Sequence, residues 1–327
     1  MHRKALILTL AIMTVVAFGV SVQAAEIVIK FADVVAPDHP NHLSAIKFAE
    51  IMAKKTNGRV RVDTFPAAQL GNEKELIEGT MLGSVDMFQA SPGALSLFQP
   101  EFGILDCPYI FRDLDHVYKT VRGPIGAEMA DKIAKSRGIK LLAMDWYYGA
   151  RHLTTRDKAI QKPADLKGML IRAPEQPVYL EAVRAMGATP TPVDFSDLYM
   201  ALKQGTVDGQ ENPIPTIYTY KFYEAQKYIM LTGHMIRIIT VGTNASWFNK
   251  LPKEIQVAIE EALAEAGAYN NDLVQRQEKE LIGNLQNEGM TVVEPDVEAF
   301  RKASEGVHLK FEDKWGKGLY EKIAAVK

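Results

Sequence analysis

The chain has 327 residues, 47 % of them hydrophobic and 24 % charged, with a formal net charge of -2. This composition excludes a disordered chain, a collagen-like repeat and a continuous coiled coil, and the length suffices for two domains with self-sufficient cores. An acidic balance without a concentrated basic face argues against a nucleic-acid partner, and the single cysteine, Cys107, reads as an unpaired small hydrophobe.

A leader comes first. His2, Arg3 and Lys4 precede an uncharged run from Ala5 to Val22, and Val22-Gln23-Ala24 places small residues where signal peptidase needs them. Residues 1–24 therefore read as a signal peptide cut after Ala24, which predicts a periplasmic protein. The run is just long enough to be a membrane anchor, but no basic stop-transfer flank follows it and no cysteine offers a site for lipid.

Beyond the leader, strand and helix patterns alternate. Glu26 to Phe31 predicts a strand, and Asp33 to Pro40 a loop. In His42 to Lys55, Leu43, Ile46, Ala49 and Met52 fall on one helical face. Val60 to Phe65 predicts a strand, and Asn72 to Leu82 a helix stopped by Gly83. Further on, the pattern predicts a helix over Asp115 to Ser136, a strand over Ile139 to Met144, a strand entered through Leu166 to Arg172, and helices over Pro177 to Met186 and Ser196 to Gln204. Such alternation favours an α/β fold of sheets covered by helices. Leu82-Gly83-Ser84-Val85-Asp86 and Gln204-Gly205-Thr206-Val207-Asp208 echo each other and hint at two comparable halves. Near the end, Pro252 opens a helix with Ile255, Ile259 and Leu263 on one face, running to about Asn284. It is either one long brace across both halves or two helices broken near Gly267.

Three stretches in order carry a family likeness: Leu166-Lys167-Gly168-Met169-Leu170-Ile171-Arg172-Ala173-Pro174, Met186-Gly187-Ala188-Thr189-Pro190, and Leu198 through Pro213. Gln69-Leu70-Gly71 with Glu73, Pro108 to Phe111, Tyr223 to Tyr228 and Thr232-Gly233-His234 extend it over nearly the whole mature chain. The chain resembles the DctP-type substrate-binding subunits of tripartite ATP-independent periplasmic (TRAP) transporters. The resemblance implies a two-lobed periplasmic binding protein, type II-like, with a hinge, a central ligand cleft and a long bracing helix. Its lobes are discontinuous in sequence, expected as residues 25–149 with about 238–277, and 150–237 with about 278–327. Its ligand would be a small organic acid, either a C4-dicarboxylate or a hydroxylated or sugar acid. Its partners would be the small and large integral membrane subunits of a permease. A monomer without cofactor is expected.

The family's main carboxylate contact falls on Arg172. A planar guanidinium offers two parallel donors to two carboxylate oxygens, although by itself an arginine here could equally cap a strand or pair with Asp197 or Glu211. Arg151 fits a second anion-contacting position and Asn212 a third, with a turn role before Pro213 as the plain alternative. Phe195 fits a ligand-facing aromatic position or a core one. Glu73 could accept from ligand hydroxyls or simply sit solvated in a first turn. Asp33, His39, Ser91, Trp146 and Tyr148 are further candidates, near loops or strand ends where a cleft would be lined.

Enzyme chemistry is not expected. The sequence has no Gly-x-Ser-x-Gly elbow, no His-Glu-x-x-His pair and no phosphate-binding loop, since Gly123-Pro124-Ile125-Gly126 lacks the required Lys and Ser or Thr. His39 and His42 could approach a metal, but no convincing third ligand lies nearby. A periplasmic sensor not coupled to transport is the main alternative function.

Overall fold

The computed structural model describes residues 26–327; the leader and its cleavage point after Ala24 lie outside them. Nine strands form one mixed sheet: β1 (Ile27–Ala32), β2 (Val60–Phe65), β3 (Met87–Ala90), β4 (Ile139–Thr155), β5 (Leu170–Ala173), β6 (Thr189–Pro192), β7 (Gly209–Pro213), β8 (Tyr228–Asn244) and β9 (Thr291–Val293). In the first half, β2, β1 and β3 run parallel side by side, and β3 meets β8 antiparallel. In the second half, β6, β5 and β7 repeat that arrangement, and β7 meets β4 antiparallel. The two four-stranded units are joined because β4 and β8, each 17 residues, pair with each other along their length. At about 3.3 Å per residue each spans roughly 55 Å, enough to serve both units. The molecule is a two-lobed α/β fold with one continuous mixed sheet.

The short sequence echo has a structural counterpart. Gly83 (φ 83°) and Gly205 (φ 77°) both end helices in the left-handed conformation that a β-carbon disfavours. The aspartates that follow do the same work on equivalent strands. Asp86 accepts from the Lys30 N–H at 2.8 Å and donates its own N–H back to Lys30. Asp208 accepts from the Leu170 N–H at 2.7 Å and likewise donates back.

The helix Lys253–Asn287 is continuous over 35 residues, about 52 Å at 1.5 Å per residue. Its first half buries Ile255, Ile259, Leu263 and Ala266 against Phe31, Phe48 and Trp146, and its far end buries Leu281 and Leu285 against Leu198, Ile214 and Phe222. Gly267 does not break it. A β-carbon there would lie 2.6 Å from the Trp146 indole nitrogen, so the glycine lets the helix lie close against β4. Between the two apolar patches the helix is tied to β4 by polar contacts. The Asn270 amide donates to the Tyr147 carbonyl at 2.7 Å, Asn271 accepts from the Tyr147 N–H at 2.7 Å, and Glu278 accepts from the Ala150 N–H at 2.6 Å.

Two predicted elements differ from those observed. The stretch 115–136 is two helices, Leu114–Val121 and Pro124–Arg137, because Pro124 has no N–H to continue the first and a β-carbon at Gly123 would strike the Lys119 carbonyl at 2.5 Å. The strand predicted to stop at Met144 runs on to Thr155. Asp145, Gly149 and Arg151 interrupt the strand pattern in sequence, but the backbone partners of this stretch come from β7 and β8. After the long helix, Phe300, Phe311, Trp315 and Ile323 pack against Ile104, Cys107 and Phe111, while Lys310 pairs with Glu181.

Gly267→Ala tests the close helix approach. Helix propensity alone would favour alanine by about 1 kcal/mol, but overpacking against buried Trp146 costs about 1–3 kcal/mol, so the substitution should lower the urea midpoint. A raised midpoint would show that Trp146 yields freely.

Candidate functional site

Parallel strands in α/β sheets present their carboxyl ends to ligands, because loops and helix N-termini gather there. Both lobes follow this rule. Asp33, Val34 and Val35 follow β1, Gln89 lies at the end of β3, Pro174 to Gln176 follow β5, Val193 to Ser196 follow β6, and Asn212 lies near the end of β7. They line one cleft, together with Asn41, Asn72, Glu73, Tyr148, Arg151, Arg172 and Arg237.

Three buried guanidiniums dominate it: Arg151, Arg172 and Arg237 are 0 %, 2 % and 7 % exposed. A buried charge is tolerated only when paired or solvated by dipoles. Arg151, on β4, grips the Glu211 carboxylate through Nε and Nη2 and the Glu211 carbonyl at 2.7 Å, leaving Nη1 without a partner. Burial raises the Glu211 pKa, but Arg151 and His234 outweigh it and hold the carboxyl at about 2. Arg237, on β8, pairs with Glu73 at 3.3 Å and lies 4.7 Å over the Tyr148 ring. Arg172 differs. Its Nε donates to the Val193 carbonyl at 2.9 Å and its guanidinium lies 5.8 Å from the Phe195 ring centre. Among the described residues no carboxylate reaches it within 4.0 Å; neither Asp197 nor Glu211 is its ion-pair partner. Burial pulls its pKa down to about 10, so it stays charged at neutral pH.

The other residues singled out from sequence divide into two groups. Asn212 lines the cleft, its amide donating to Gln210 at 2.6 Å, and Phe195 lines it with an edge-to-face contact to Tyr220 at 4.7 Å. Glu73 lines the cleft but is not a solvated first-turn residue. It accepts from the Ser91 N–H at 2.9 Å, from the Ser91 hydroxyl at 2.7 Å, and from Arg237. Asp33 and Tyr148 line it too, Asp33 held by His42 at 2.7 Å. Ser91, His39 and Trp146 do not line it. Ser91 caps the helix Pro92–Leu95, and Trp146 is fully buried in the apolar core under the long helix. His39 caps the helix Pro40–Lys55 and stacks behind Tyr148 at 5.1 Å.

Sequence reasoning missed Arg237, Asn41 and Gln89. Arg237 had a legible signal: it is the lone charge in the apolar run Met235 to Val241, and a charge buried in such a strand must be paired.

Across the cleft mouth the lobes touch. The Asn72 amide donates to Asp194 at 3.2 Å, and the Tyr220 hydroxyl donates to the Val34 carbonyl at 2.7 Å.

Residues 31–314 match the model of DctP, the bacterial extracellular solute-binding protein family 7. The chain belongs to that family. It is 32 % identical to the sialic acid-binding periplasmic protein SiaP of Vibrio cholerae, covering 98 % of each chain. A TRAP periplasmic solute binding protein from a Polaromonas species, solved bound to D-erythronate, superposes with a TM-score of 0.87 at 34 % identity, covering 92 % of this chain and 99 % of that one. Another, from Sulfurospirillum deleyianum with bound succinate, also has a TM-score of 0.87, at 32 % identity over 93 % and 100 %. As a DctP-family member the chain is a solute-binding protein and not an enzyme.

His39 and His152 set an acid sensitivity for this DctP-family fold. His39 Nδ1 accepts from the Asn41 N–H and Nε2 faces Thr216 at 3.1 Å, so the cap needs the neutral ring. His152 Nδ1 accepts from the Gly233 N–H at 3.0 Å. Burial lowers both pKa values to about 3, with Arg237 adding to the effect at His39 and His234 at His152. Because the unfolded rings titrate near 6.5, the unfolded state binds more protons between about pH 6.5 and 3, and stability should fall as pH drops through that window. Thermal melts from pH 7.5 to 4 should show that decline, and it should be shallower in His152→Gln. A variant slope equal to the native one would remove His152 as a source.

Proposed function

We propose that this chain is a periplasmic receptor, released by cleavage after Ala24, that binds a small organic acid by its carboxylate and delivers it to a TRAP-type permease of one small and one large membrane subunit. The observation that carries the reading is Arg172: a buried guanidinium facing a cleft that, among the described residues, has free donors and no carboxylate partner. An anion supplies the missing partner, and a carboxylate matches the planar donor pair. The unpartnered Nη1 of Arg151 and the Asn212 amide are further donors in the same cleft. The acids named with the Polaromonas, Sulfurospirillum and Vibrio proteins support the class.

Delivery follows from closure. We place the hinge where β4 and β8 cross between lobes, at Gly149 opposite Arg237, dividing the chain into residues 25–149 with about 238–277 and 150–237 with about 278–327. Three irregularities flank that point on β4, between Ala143 and Trp146, Tyr147 and Gly149, and Arg151 and Leu153. Gly149 itself has φ 122°, and a β-carbon there would meet Pro213 at 2.7 Å. A bound acid bridges the lobes and favours the closed form by its differential affinity. The permease would recognise that form.

In a thermal-shift screen, small organic acids should raise the melting temperature and their carboxamides should not; equal effects from an acid and its amide would refute the carboxylate reading. Arg172→Lys should weaken the best acid by about 1.5–3 kcal/mol, roughly ten- to a hundredfold, by losing the bidentate charge-assisted geometry. Unchanged affinity would assign Arg172 to structure alone.

Closure has its own readout. The radius of gyration from small-angle X-ray scattering should shrink on saturation with that acid while the far-ultraviolet dichroism stays constant. An identical radius with and without ligand would leave a rigid binding module.

A further inference from the structure

The three cleft arginines are not equivalent. Arg151 is matched by Glu211 and Arg237 by Glu73, so pairing leaves Arg172 as the uncompensated buried cation among the described residues. One ligand carboxylate balances it. A second would find only the spare donors, Arg151 Nη1 and Arg237 Nε, of guanidiniums whose charge Glu211 and Glu73 already balance, or would sit among the carboxylates of Asp33, Glu175 and Asp194 that also line the cleft, so its own charge would stay unmatched. Lys74 at the rim is largely exposed and already faces Glu78 at 3.8 Å, so solvent screens what it could offer.

The first lobe's wall presents a different chemistry. Asn41 and Gln89 line the cleft at 1 % and 3 % exposure. Among the described residues, both amide atoms of Asn41 and the Oε1 of Gln89 have no hydrogen-bond partner, while Gln89 Nε2 donates to the Asn41 backbone carbonyl at 3.0 Å and so fixes the orientation of the Gln89 amide. Buried polar atoms left unpaired are costly, which makes them a mould of the group they receive. Here the mould offers one donor side and two acceptors. A hydroxyl, which both donates and accepts, satisfies it. A carboxylate only accepts and would face Gln89 Oε1, a methylene satisfies nothing, and an ammonium would add a cation to a cleft already lined by three buried guanidiniums.

We propose that Asn41 and Gln89 read a hydroxyl on the ligand's carbon chain, so that the cleft takes a hydroxylated monocarboxylic acid and rejects dicarboxylates. This rests on the carboxylate reading of Arg172. The two lobes divide the recognition: the second holds the charge, and the first counts hydroxyls.

Isothermal titration calorimetry on the mature protein tests it with a matched set: butyrate, succinate, the trihydroxybutanoate diastereomers, and five- and six-carbon polyhydroxy monoacids. At least one hydroxylated monoacid should bind about a hundredfold tighter than both butyrate and succinate, since a site built to bond a hydroxyl discriminates strongly against its absence. Succinate or butyrate binding as tightly as every hydroxylated acid would overturn the assignment while leaving Arg172's role intact. Binding of no acid at all would remove the carboxylate reading and this one with it. Asn41→Leu, of similar shape, should weaken the best hydroxylated acid about tenfold more than its analogue lacking hydroxyls. Equal losses for both would overturn Asn41's role. The ligand series on the native protein decides the matter should that variant fail to fold.

Discussion

Among the described residues Arg172 is a cation buried without a paired counter-charge, and much of the cleft is arranged around that cost. Removing a guanidinium from water is tolerable only if something replaces the lost solvation. Here one backbone carbonyl and the face of Phe195 supply part of it, and burial still drags the pKa down. The neighbouring arginines are prevented from adding to the strain by being tied off: Glu211 and Glu73 each hold one, and these carboxylates are themselves anchored by His234 and Ser91. The result is a preorganised site carrying a single unmet charge, so an arriving anion does not have to displace an internal ion pair to reach Arg172.

The parts of this arrangement legible in sequence were those written as local patterns. Short strands bounded by turn formers, helices stopped by Gly83 and Gly205, and the apolar face of Ile255, Ile259 and Leu263 all read directly from spacing. Arg172, Arg151 and Asn212 came from likeness to a family, and all three line the cleft. What could not be read was pairing across distance. Arg151 and Glu211 are 60 positions apart, and Glu73 and Arg237 164 apart, so nothing local shows that two of three arginines are neutralised. Trp146 illustrates the same limit. A strand residue between Asp145 and Tyr147 gives no hint that it faces a glycine on a helix some 120 positions later, yet Gly267 fits against it.

The near-repetition of β1–β3 in β5–β7 explains why the cleft has two chemically distinct walls with one geometry. Each unit directs the carboxyl ends of its parallel strands inward, so duplication of the framework creates two facing rows of loops that can diverge independently. One row carries Arg172 and Phe195; the other carries the neutral amides Asn41 and Gln89 beside Asp33 and Glu73.

The fourth strand of the first unit, β8, comes from far along the chain, and this fixes an order of events in time. β3 gains its antiparallel neighbour only when residues 240–243 of β8 exist, and β7 is completed by β4, which also needs β8 on its other edge. During synthesis, then, about three-quarters of the polypeptide must emerge before the first unit can close its sheet, whereas β4 to β7 are all present by residue 213. Long-range pairing of this kind makes folding slow relative to local helix formation. Until β8 is made, the outer edge of β3 is free to pair with any other exposed strand it meets.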